Sequence, residues 1–89
     1  MVHMVARMVL INELTARRVR NARKNANLTI KSLSQSSGIR YSTLKRLERG
    51  LAAFKLHDIV RLAEPLGVGH DDLIPKSSEL SADPDGGAE

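Results

Sequence analysis

The chain has no cysteine and no tryptophan, and its 89 residues include one phenylalanine and one tyrosine. Without cysteine there is no disulfide, no thiolate metal site and no cysteine nucleophile. A cytoplasmic location is the expectation that follows. With so few aromatics, the core has to come from Leu, Ile, Val, Met and Ala. That suits small helices packed through aliphatic side chains better than an aromatic-rich sheet. Long apolar runs are also missing. The N-terminal MVHMVARMVLINE is apolar but broken by Arg7. It falls short of the ~18 apolar residues of a membrane span, and it lacks the longer apolar stretch and cleavage site of a secretory signal. No Gly-rich phosphate loop, carboxylate pair or nucleophile–base arrangement stands out, so no enzyme and no cofactor are expected.

What is present is one small domain's worth of chain. Its composition, 42% hydrophobic and 27% charged, is that of an ordinary globular protein, with no room for a separate ligand-sensing domain. The net charge of +4 is unevenly spread. Residues 70–89 hold one basic residue, Lys76, against Asp71, Asp72, Glu79, Asp83, Asp85 and Glu89. That leaves 13 basic and 4 acidic residues in 1–69, a body near +9. Such a body points to a polyanion, most often nucleic acid, although a merely solvated basic surface has the same composition.

The periodicity predicts five helices and no interior strand. The first runs from Asn12 or Glu13 to Asn25, with Leu14, Val19, Ala22 and Ala26 at helical spacing. Thr29 is a good N-cap for a second helix, Ile30 to Ser37, which Gly38 ends. A third spans Ser42 to Arg49 before Gly50. A fourth covers Leu56 to Leu66, with Pro65 set to terminate or kink it. A short fifth, HDDLI, packs Leu73 and Ile74 back before Pro75. The tail from Lys76, KSSELSADPDGGAE, has too little apolar surface to offset ordering entropy and is read as disordered.

Residues 29–50, TIKSLSQSSGIRYSTLKRLERG, carry the functional signal. Gly38 permits a tight turn, Ser34 is small where two helices cross, and Leu33, Ile39, Leu44 and Leu47 can share one core. This is the pattern of a helix-turn-helix, whose second helix lies in the DNA major groove. With Leu44 and Leu47 inward, Tyr41, Ser42, Lys45 and Arg46 face outward.

The segments RVRNARKNANLT, SLSQSSGI, STLKRLERG and IVRLAEPLGVGHDDL, in this order and spacing over about Arg17 to Ile74, resemble the lambda-repressor-like, Cro-type (XRE-type) helix-turn-helix family. The resemblance implies an all-α, five-helix domain over residues 12–75 that binds operator DNA as a homodimer. By position it implies base-edge contacts from Tyr41, Ser42 and Arg46, and phosphate contacts from Arg40 and Thr43. Lys45 is better suited to phosphate or solvent than to base reading. Thr29 and Lys31, at the start of the second helix, complete the DNA-binding set. Ile30 stands where the family often has a phosphate-contacting glutamine, a task that Lys31 or Ser32 would take over. In the loop after the third helix, LAAF, only Lys55 remains of the usual basic residues. The resemblance also implies a structural salt bridge between Arg23 and Glu48. Residues 1–11 precede the family domain. They would be a dimer strand, a helix extension or translated leader, with Met4 and Met8 as alternative starts.

The bland readings are short. His57 and Asp58 are adjacent, so they point in different directions on a helix. Asp71 and Asp72 suit the N-terminus of the last helix, where the helix dipole favours acids; no metal site is expected. The expectation is a sequence-specific double-stranded DNA-binding transcriptional regulator of phage-repressor or Cro type, on a palindromic operator. The alternative is an antitoxin-type protein-interaction module of a toxin–antitoxin pair that also binds its own operator. There the N-terminal extension or the acidic tail would engage the protein partner. Non-specific nucleoid or RNA binding is weaker, because aromatics for base stacking are missing.

Overall fold

The computed structural model describes the backbone of residues 2–80 and the side chains of residues 8–76 and 78–80. The elements are α1 (Val2–Asn25), α2 (Ile30–Ser37), α3 (Tyr41–Glu48), α4 (Leu56–Leu66), α5 (His70–Leu73) and α6 (Ser77–Leu80). No strand forms among the described residues.

α1 starts about ten residues earlier than the periodicity suggested. Residues 1–37 contain neither glycine nor proline, so nothing in the N-terminal segment stops a helix once it has nucleated. Residues 2–11 are helical and continuous with the rest of α1. At the other end Asn27 takes a left-handed conformation (φ 59°). The Leu28 N–H then reaches the Arg23 carbonyl and the Asn27 N–H the Lys24 carbonyl, both at 3.0 Å. This Schellman-type closure satisfies carbonyls that the helix end would leave unpaired. Asparagine is one of few non-glycine residues that tolerate the conformation.

α2 is held at both ends by its own sequence. The Thr29 hydroxyl accepts from the Ser32 N–H at 3.0 Å, and the Ser32 hydroxyl accepts from the Thr29 N–H at 2.9 Å. This is a reciprocal capping box with serine in the place usually taken by glutamate or glutamine. Gly38, at φ 79°, ends it. α3 begins at Tyr41, one residue before the expected start.

The core sits where α1, α2, α3, α4 and α5 converge. Val19, Leu33, Leu44, Leu47, Leu62 and Leu73 are fully buried, and Ile39, Ile59, Ala63 and Leu66 close around them. Each such leucine contributes about 1.5–3 kcal/mol through burial. Phe54, Leu28 and Val68 pack on the rim.

α4 spans Leu56–Leu66 as the spacing predicts, with Pro65 one residue from its end and the left-handed Gly67 closing it. In the last turn the proline removes one backbone donor and disturbs little downstream. Ile74 does not pack back as Leu73 does. It is 40% exposed, and the buried residue after it is Pro75. The tail does not lose structure at Lys76, because α6 docks on α1 through an ion pair between Arg18 and Glu79. Arg18 also donates to the Ile74 carbonyl at 3.2 Å. The Arg18 guanidinium, then the Lys76 N–H at 3.2 Å, hold the Glu79 carboxyl below the usual carboxylate range. The rest of the tail, 81–89, lies outside the described residues. No helix among the described residues is long and apolar enough to cross a membrane.

Candidate nucleic-acid interface

The turn between α2 and α3 is fixed by two serines as well as by Gly38. The Ser34 hydroxyl donates to the Ile39 carbonyl, and the Ser37 hydroxyl accepts from the Ile39 N–H at 3.2 Å. Both polar groups of Ile39 are therefore satisfied while its side chain is buried (5% exposed). The turn can thus be tight without an orphaned backbone group. The small size of Ser34 is legible in the sequence; the bonds of its hydroxyl and of Ser37 are not, although a serine next to a turn glycine is itself a signal.

The far end of α3 is fixed by α1. Arg23 meets Glu48 with two parallel bonds, Nε to Oε2 at 2.8 Å and Nη2 to Oε1 at 3.0 Å. Its remaining Nη1 donates to the Leu28 carbonyl at 2.9 Å. Glu48 is 2% exposed. One guanidinium thus ties the end of α1, the α1–α2 turn and α3 together. Arg20 adds a bond to the Glu48 carbonyl, a role that residue type and spacing did not suggest.

Between these anchors α3 presents the remaining faces of its turns. Arg40, Tyr41, Ser42, Thr43, Lys45 and Arg46 are all exposed. Their side chains make no hydrogen bond or ion pair with any other described residue; the Lys45 ammonium stands over the Tyr41 ring, 5.8 Å from its centroid, within cation–π range. Thr29 and Lys31 lie at the start of α2, exposed as well; the Thr29 hydroxyl is engaged in its cap. Arg49, exposed just past α3 and one turn beyond Lys45, extends the same basic row. The i, i+4 spacing from Lys45 could have identified it.

The charge balance of this face is one-sided. Residues 29–50 contain five basic side chains, Lys31, Arg40, Lys45, Arg46 and Arg49, and a single carboxylate, Glu48. That carboxylate is buried and neutralised by Arg23. The exposed surface of the α2–α3 unit is therefore uniformly positive, with hydroxyl and phenol groups interspersed. Such a surface attracts a polyanion and offers donors and acceptors for it to meet.

Elsewhere, His57 Nε2 stands 3.4 Å from Asp58 Oδ1. Asp58 is mostly buried and accepts from the Lys55 N–H at 2.9 Å at the start of α4. Asp72 does the same for the Gly69 N–H at 2.8 Å at the start of α5. Among the described residues no group of three His, Asp or Glu side chains gathers closely enough to hold a metal ion.

A helix-turn-helix family model, HTH_3, matches residues 19–73. No curated protein matches the chain. Among solved structures, the restriction-modification controller protein C.AhdI from Aeromonas hydrophila is 27% identical. That match covers 70% of this chain and 94% of that one, with a TM-score of 0.67. A hypothetical transcription factor, NHTF, from Neisseria is 23% identical over 78% of this chain and 79% of its own, TM-score 0.70. An HTH_3 family transcriptional regulator from Vibrio cholerae is 22% identical over 73% of this chain but only 36% of its own, TM-score 0.70. The latter two share the fold.

Proposed function

The chain belongs to the HTH_3 helix-turn-helix family, and from that premise we propose that it is a sequence-specific, double-stranded DNA-binding transcriptional regulator of phage-repressor or Cro type, reading the major groove with α3. The observation that carries this reading is the exposed, unpartnered and uniformly basic face of α3, set between two rigid anchors. A side chain free of internal bonds and held on an ordered helix binds without first giving up an interaction.

In this reading Tyr41, Ser42 and Arg46 meet base edges, and Arg46 bonds a guanine through O6 and N7, the commonest specific contact. Arg40, Thr43 and Lys45, with Thr29 and Lys31 at the start of α2, hold phosphates and set the register. Residues 12–75 form the DNA-binding domain, and the protein works in the cytoplasm. Two copies bind a palindromic operator with recognition helices about 34–36 Å apart. The similarity to a controller protein, 27% identical and matched over 94% of its length, supports a regulator.

The test is selection of bound duplexes from a random pool at near-physiological salt. Enrichment of a palindrome is expected. Enrichment of a single half-site would remove the dimer from the reading, and no enrichment would remove sequence specificity.

A further inference from the structure

We propose that the ridge of α4 formed by Leu56, Val60 and Glu64 is where a second copy of this chain docks, antiparallel about a two-fold axis near Val60. The inference rests on the dimeric reading above and names the surface which that reading leaves open. Leu56 is 77% and Val60 48% exposed. One turn apart, they lie on the same row of the helix. Leu56 also borders a hollow of about 250 Å³ lined by Ile11, Phe54, Ile59 and Ile74. The apolar surface therefore runs from α4 across the preceding loop to α1 and the end of α5. Contiguous exposed apolar surface of this kind marks an interaction site more often than a solvated face.

Charge identifies the occupant. Continuing the row by one turn from Val60 gives Glu64, which is exposed. Lys55 and His57, also exposed, flank Leu56, and Arg61 lies between Val60 and Glu64. The row is thus basic at its beginning, apolar in the middle and acidic at its end. Laid antiparallel on an identical row, Val60 meets Val60, and Glu64 of the second copy falls over Leu56 of the first, beside His57 and Lys55. A two-fold contact repeats each such pairing twice. A parallel arrangement would instead set Glu64 against Glu64. Leu56, His57, Val60 and Glu64 lie outside the DNA-facing set, so a copy and DNA can be held at once.

The experiment is sedimentation equilibrium of the full chain without DNA. The wild type is expected to be a dimer. Val60→Arg places two like charges at the axis and should weaken association about 100-fold or more; its helical content should be unchanged because Val60 is outside the core, and its melting temperature should lose the concentration dependence that dimerisation gives the wild type. Glu64→Lys should weaken association, and Glu64→Lys combined with His57→Glu should restore it. A wild-type dimer that V60R leaves intact overturns this surface and spares the dimeric reading. Failure of the double variant to recover overturns the antiparallel register. A wild type that is monomeric in solution, and that occupies a palindromic duplex one copy at a time, overturns both.

Discussion

Replacing Arg23 with methionine tests how α3 is held. The substitution keeps most of the side chain's apolar stem but removes both bonds to Glu48 and the bond to the Leu28 carbonyl. Glu48, 2% exposed, cannot turn to solvent without opening the contact between α1 and α3. Breaking one half of a buried ion pair costs about 3–5 kcal/mol, because the remaining charge stays desolvated and unpaired. A chain of this length is stable by about 4–13 kcal/mol in total, so the loss removes a large share of it. At about 4–8 °C per kcal/mol for a small domain, the melting temperature should fall by at least about 12 °C. Circular dichroism at 222 nm, with heat and urea, measures this. Glu48→Leu on its own strands a guanidinium that is itself mostly buried and should also destabilise. The double variant R23M/E48L should lose clearly less than the sum of the two, since no buried charge remains. A loss below about 1 kcal/mol for R23M, or strict additivity in the cycle, would refute the assignment of this pair as the tie between α1 and α3.

The other predictions concern α3, the turn and the tail. Arg46→Ala should erase preference at one base pair, about 1–3 kcal/mol of discrimination, while leaving the melting curve unchanged; equal loss on every duplex in a binding titration would contradict base reading. Gly38→Ala should cost about 1–2 kcal/mol in urea unfolding, because φ 79° is strained for alanine. A Cβ there would meet no atom within 4 Å, so Gly38→Asn, which accepts that conformation more readily, should lose less. An equal loss for both would point to a steric cause. The Glu79 carboxyl is held below its ordinary 4.5 by Arg18. Its contribution to the docking of α6 is therefore complete above that value and fades as pH falls through the lowered one. The protection of the Leu80 amide relative to its intrinsic exchange rate at each pH, its N–H bonding the Lys76 carbonyl, should fall at acid pH in the wild type, whereas in Glu79→Gln it should be low and independent of pH.

The sequence was most legible where a signal is local. Thr29 and Gly38 mark the two ends of α2 through their own side-chain and backbone chemistry, and the spacing of Leu44 and Leu47 orients α3 without reference to any other element. Features that depend on distant partners were harder to read. Arg18 looks like one more arginine on a solvated helix until the fold brings Glu79, 61 residues away, beside it. The start of α1 was hidden for a different reason. Its first turns carry no cap and no breaker, so periodicity alone could not say where the helix begins. Pro65 was a true helix-breaking residue placed too near the end of α4 for its effect to matter. For the α3 face, residue types could suggest which side chains point outward. That none of them is tied down inside the molecule depends on what stands around them.

In α3 the residues that hold and the residues that face outward alternate without overlap. Leu44, Leu47 and Glu48 anchor the helix, whereas Tyr41, Ser42, Lys45 and Arg46 are exposed and outside the core cluster. Substitutions at those four outward positions leave every anchor in place. On the proposed reading, new target preferences can therefore arise one residue at a time, without a stabilising mutation having to come first. Duplicated copies of such a gene could diverge into regulators that ignore each other's operators while remaining the same scaffold.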